Sequence, residues 1–102
     1  MKAIFNLAQL VADATTEFLA ENKGMRVEGM AEYVILIQGK TGEDRLRAAM
    51  ERGELSDGKI KEAILNLLMC AAGRARARGS TDISSEDICL SIPDAKRLYP
   101  WG

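Results

Sequence analysis

Apolar residues recur at intervals of three and four through most of the chain, the period of a helix with one buried face. Four glycine-containing breaks interrupt that pattern: NKG at 22–24, GKTG at 39–42, RGELSDG at 52–58 and RGST at 78–81. The pieces between them have helical lengths. From about Ala3 to Glu21, Ile4, Leu7, Ala8, Val11, Thr15 and Phe18 share one side, while Lys2, Asn6, Asp13 and Glu17 fall elsewhere. Asn22 and Gly24 suit its C-terminal end.

The second piece, RVEGMAEYVILIQGK, reads in two ways. Val27, Met30, Ala31, Val34 and Ile37 fit a helical face, whereas EYVILIQ alone is rich in β-branched residues and fits a buried strand. Helix is preferred over 26–38, because a lone strand has nothing evident to pair with. The third piece, Glu43 to about Arg52, is a short helix with Thr41 as its expected N-cap and Asp44 three residues on. Glu43 and Asp44 at its start and Arg52 at its end suit the helix dipole.

The fourth piece, from Asp57 to about Arg78, carries the clearest pattern. Ile60, Ala63, Ile64, Leu67, Leu68, Ala71 and Ala75 repeat at three and four, and Leu65, Met69 and Ala72 widen the stripe. Lys59, Glu62 and Asn66 leave only a narrow polar edge. A helix apolar over most of its circumference is buried among several neighbours. With few other elements to cover it, a second subunit is expected to share the task, with Leu67 at the contact. The fifth piece, DISSEDICLSI, starts with Ser84 as N-cap and Asp87 at the third helical position, with Ile83 placed to staple onto Ile88. Pro93 should stop or kink it, leaving 93–102 as a turn and tail. The expected fold is a single all-α domain over 1–102, a compact bundle of four to five helices around a long central one, 57–78, completed by homodimerisation. No internal repeat is visible.

Composition adds exclusions. The 102 residues are 47% hydrophobic and 28% charged, a globular balance, and the net charge of −1 gives no global attraction to nucleic acid or an anionic membrane. No apolar run is long enough to span a bilayer. The N-terminal MKAIFNLAQLVADA mimics a short signal peptide, but Asn6, Gln9 and Asp13 interrupt it as a helix surface would. Cys70 and Cys89 lie in apolar surroundings, LLMCAA and EDICLSI, and are expected to be reduced, buried, cytoplasmic thiols.

The stretch GRARARGSTDISSEDI places Arg74, Arg76 and Arg78 in alternation. At 100° per residue Arg76 points nearly opposite to the other two, so a helix makes no basic patch of them. At a helix C-terminus each is favoured by the dipole. Protein contact and nucleic-acid contact are the competing readings.

The order EDRLRAAMERGELSDGKI, long helix, RGSTDISSEDI resembles a histone-fold unit across residues 43 to 92. That resemblance rests on Ser56, Asp57, Gly79, Glu86, Asp87 and Ile88. It implies a short helix, a long central helix, a short loop and a final helix, with DNA contact as function. The chain departs from the family in three ways. The helix from Asp57 is shorter, the basic and threonine positions of the second loop fall on Ser80 and Asp82, and Pro93 lies in the last helix.

Catalytic chemistry finds little support. Histidine is absent, so neither cysteine has an imidazole base. Arg74 lies one turn from Cys70, which leaves redox sensing as a minor reading. Glu43/Asp44 and Glu86/Asp87 are explained by helix starts. GKTGED lacks the upstream glycine of a phosphate loop, since Val34 stands there. No cofactor or metal is expected. The expected function is a small non-enzymatic protein-binding regulator, an adaptor or inhibitor of the anti-activator or phage-antagonist kind. Its expected contact residues are Leu67, Arg74, Arg76, Arg78, Leu98, Tyr99 and Trp101. The alternative is a nucleic-acid-binding transcription regulator with a histone-like fold.

Overall fold

The computed structural model describes residues 6–95. Five helices and two very short strands follow in the order α1 (Leu7–Glu21), β1 (Arg26–Val27), α2 (Gly29–Thr41), α3 (Glu43–Glu51), α4 (Asp57–Ala77), β2 (Asp82–Ile83) and α5 (Ser85–Ala95). The all-α expectation holds, with α4 as the long central helix.

Local chemistry explains most boundaries. Asn6 caps α1 by accepting from the Gln9 amide, and Ser56 caps α4 by accepting from the Lys59 amide. The NKG break at 22–24 ends α1 as expected: Asn22 is the C-cap and Gly24 follows with φ of 92°. Gly79, after α4, has φ of 76°. Both glycines turn the chain from a helix into a strand through backbone angles that a side chain would disfavour.

Two expectations fail here, and a third holds in part. Thr41 does not cap α3; it ends α2, where its hydroxyl donates to the Ile37 carbonyl, and Gly42 takes the cap position instead. The helix preferred over 26–38 is present from Gly29 onward, but Arg26–Val27 is strand, and it finds a partner in β2 that no local reading could supply. Pro93 does not stop α5, which continues to Ala95.

The strands pair in parallel, Arg26 with Asp82 and Val27 with Ile83. The Arg26 amide donates to the Thr81 carbonyl at 2.9 Å and the Glu28 amide to the Ile83 carbonyl at 3.0 Å. This bridge joins two helix–strand–helix units, α1–β1–α2 and α4–β2–α5, with α3 as connector. Their burial patterns repeat. Leu7, Val11, Ala14, Thr15 and Phe18 are the buried residues of α1, and Ile64, Leu68, Ala71, Ala72 and Ala75 are buried in α4 at the same mutual spacing. Carrying the strand register forward matches the buried Ala31 and Ile35 of α2 with Asp87 and Ser91 of α5. The two units thus share their element order and part of their burial spacing, although their residue types do not repeat.

One core results. α4 packs on α1 and α5, and α2 packs on the same two helices. Leu67 is 2% exposed within this core, together with Phe18, Ile35, Ile60, Ile64, Leu68, Ile83 and Ile88. Lys61 ties α4 to α1 through Glu17 at 2.6 Å. Most of the apolar surface of α4 is thus covered by the chain itself, with Met69 left exposed. Leu67 belongs to that interior and is not available to a second subunit.

Candidate docking surface

α2 is built from a run, YVILI, that is apolar at every position from 33 to 37. The helix buries one row, Ala31, Ile35 and Gly39. Gly39 lets α2 lie close to α1 there: a Cβ would sit 2.6 Å from a methyl of the buried Leu7, which would have to move aside. The opposite row stands in water: Met30 is 62% exposed, Tyr33 55% and Ile37 43%. Positions three and four apart fall on one side of a helix, so these three form a continuous apolar stripe. Of the face expected to be buried, Ala31 is buried and Val27 and Val34 pack half-buried against the core, while Met30 and Ile37 are turned outward. Beside the stripe lies a groove of about 270 Å³ between α1 and α2, lined by Ala8, Val11, Gly29, Glu32, Tyr33 and Leu36.

A second groove, of about 430 Å³, lies between the end of α4 and the start of α5, with Ala77 and Leu90 as its apolar wall. Its charges serve the fold. Arg78 forks onto Asp87 with bonds of 3.2 and 2.6 Å and donates to the Asp82 carbonyl at 2.8 Å. The Ser84 amide and hydroxyl donate to the same carboxylate, and the Asp87 amide donates back to the Ser84 hydroxyl. The expected capping box is present, with an arginine fastened to it. The guanidinium bonds hold the Asp87 carboxyl below its usual range, against the opposing effect of burial, and the Ser84 bonds add to the lowering. Arg74 reaches Asp94 at 3.5 Å.

The residues expected at a contact are thus scattered. Leu67 is interior, Arg78 and Arg74 are engaged with carboxylates of α5, and Arg76 is exposed with no ion pair among the described residues. Leu98, Tyr99 and Trp101 lie outside the described residues. Cys70 and Cys89 are free but exposed, which corrects the expectation of buried thiols. The residues missed were Met30, Tyr33 and Ile37. Their signal was the run apolar on every side, more than one packed face can use.

Among the described residues no group of three His, Cys, Asp or Glu side chains could hold a metal ion, and no helix is long and apolar enough to cross a membrane. Compared with family models, curated proteins and solved structures, the chain has no match.

Proposed function

We propose that the protein is a non-enzymatic regulator that works by docking on another protein through the exposed face of α2. The observation that carries this reading is the stripe of Met30, Tyr33 and Ile37, three large apolar side chains left in water on one helix. Full burial of such a side chain is worth about 1.5–3 kcal/mol, and about half of that is still to be gained at each, since each is already about half covered. Tyrosine and methionine are also enriched at the centres of protein interfaces. An adaptor or inhibitor acting in the cytoplasm fits this arrangement. The second reading, a nucleic-acid-binding regulator of histone-like fold, draws on the order short α3, long α4, β2, α5, and on the exposed Arg76.

The test is affinity capture from the native lysate with the natural protein and Tyr33→Glu as parallel baits. One protein enriched by the first and lost with the second supports the proposal. Capture that survives the Tyr33 change but vanishes on nuclease treatment supports the nucleic-acid reading instead.

A further inference from the structure

We infer that the outer side of α4 is a contact between two copies of the chain, with the two α4 helices antiparallel across a two-fold axis at Met69. This side is separate from the exposed face of α2, which packs on α1 and α5, and does not depend on what α2 binds. Within one copy, α1, α5 and β2 cover α4 from the remaining directions. Along the open side Glu62, Met69 and Arg76 are all exposed, Met69 by 51%. They stand seven residues apart. Each step of seven advances about 10.5 Å along a helix and returns to within about 20° of the same side. The three therefore form one nearly straight row, with a carboxylate at one end, a guanidinium at the other and an apolar side chain midway. Neither Glu62 nor Arg76 makes an ion pair among the described residues.

Such a row is the complement of its own reverse. Two copies laid antiparallel about Met69 set Glu62 of each against Arg76 of the other, twice by symmetry, with Met69 on Met69 at the centre. A two-fold contact needs this self-complementarity. Parallel copies would set glutamate on glutamate and arginine on arginine, and like charges across an interface oppose it. They would also align the two helix dipoles, which the antiparallel pairing opposes favourably. The same register explains Gly73. It is exposed inside α4, and a Cβ there would meet nothing within 4 Å. In a single copy a glycine at that place only weakens the helix. Between two copies it comes beside the half-buried Asn66 of the other and lets the backbones approach closely.

A row of about 21 Å on one helix covers less than the roughly 800 Å² per partner of a standard interface, so the dimer is a weak one, micromolar at best. The test is sedimentation equilibrium of the full chain over a concentration series up to about 1 mM, the range in which so weak a contact is populated. Circular dichroism confirms that each variant is folded. The natural protein should dimerise reversibly, and Met69→Asp should be folded and monomeric. Glu62→Arg and Arg76→Glu should each weaken association about tenfold, and the two reversals together should restore it. Gly73→Ala should melt at a higher temperature and yet associate more weakly, an opposition that a role in the single copy alone would not produce. A natural protein that stays monomeric throughout overturns the inference. So does a dimer untouched by the single reversals, or single reversals that the double reversal does not rescue. A Gly73→Ala protein that associates as tightly as the natural one refutes the register. In a monomeric protein, loss of a lysate partner on Arg76→Glu would give this side of α4 to that partner and likewise overturn the self-pairing.

Discussion

Asp87 illustrates how much one side chain can hold together. Its carboxylate is 5% exposed, yet it accepts from Arg78 at the end of α4 and from Ser84 at the start of α5. Its pKa is lowered in the folded state, so the stabilisation is fully present above the unfolded value of about 4 and is lost as pH falls through the lower folded value. Asp87→Asn should therefore destabilise the protein by about 1–3 kcal/mol at pH 7 and by less at pH 3. Urea midpoints at the two pH values measure this, and an equal loss at both would refute the assignment. Gly73 makes the opposite case. It lies inside α4, and a Cβ there would meet nothing within 4 Å. Gly73→Ala should stabilise by about 0.5–1 kcal/mol, read as a melting temperature a few degrees higher. Gly39→Ala should bring no such gain, because its Cβ would press on Leu7.

At the scale of elements, what is decided locally was legible and what is decided by distant neighbours was not. The capping box of Ser84 and Asp87 and the length of α4 follow from residues within one or two turns. The face that α2 buries does not, because YVILI is apolar all round and only the positions of α1 and α5 choose Ala31 and Ile35 over Met30 and Ile37. Likewise β1 is two residues long and exists only because Asp82–Ile83 lies beside it. The shared burial spacing of α1 and α4 is not legible in the sequence, because burial repeats while residue type does not: Phe18 in α1 corresponds to Ala75 in α4, and Thr15 to Ala72. The orientation of both helices is open to direct measurement. Leu67→Ala should cost about 2–5 kcal/mol in a denaturant titration, and Leu67→Asp should prevent folding. Met69→Asp, two residues away but exposed, should change stability by about 0.5 kcal/mol or less. On α2 the corresponding pair is Ile35→Asp, which should unfold the protein, and Ile37→Asp, which should not.

At the scale of the whole molecule, the charge distribution argues against a role on duplex DNA. Net charge is −1, and of the arginines at the end of α4, Arg78 and Arg74 are engaged with Asp87 and Asp94, which leaves Arg76 alone without an ion pair among the described residues. Nonspecific affinity comes from neutralising phosphates with clustered cations. No mobility shift is expected with low-micromolar protein at physiological salt; a shift abolished by changing Arg74, Arg76 and Arg78 to Ala would overturn that expectation. The parallel bridge between β1 and β2 has a different consequence, in the time domain. Its amides belong to residues far apart in the chain, so no local fluctuation of one unit can reform it, and its closure must follow the slow search that brings both units together. Exposed two-residue strands ordinarily exchange their amide protons with solvent quickly. Here the amides of Arg26 and Glu28, bonded to Thr81 and Ile83, should exchange as slowly as those in the middle of α4, because both wait for the same global opening. A hydrogen-exchange experiment would thus find a clock for the entire fold on the protein's surface.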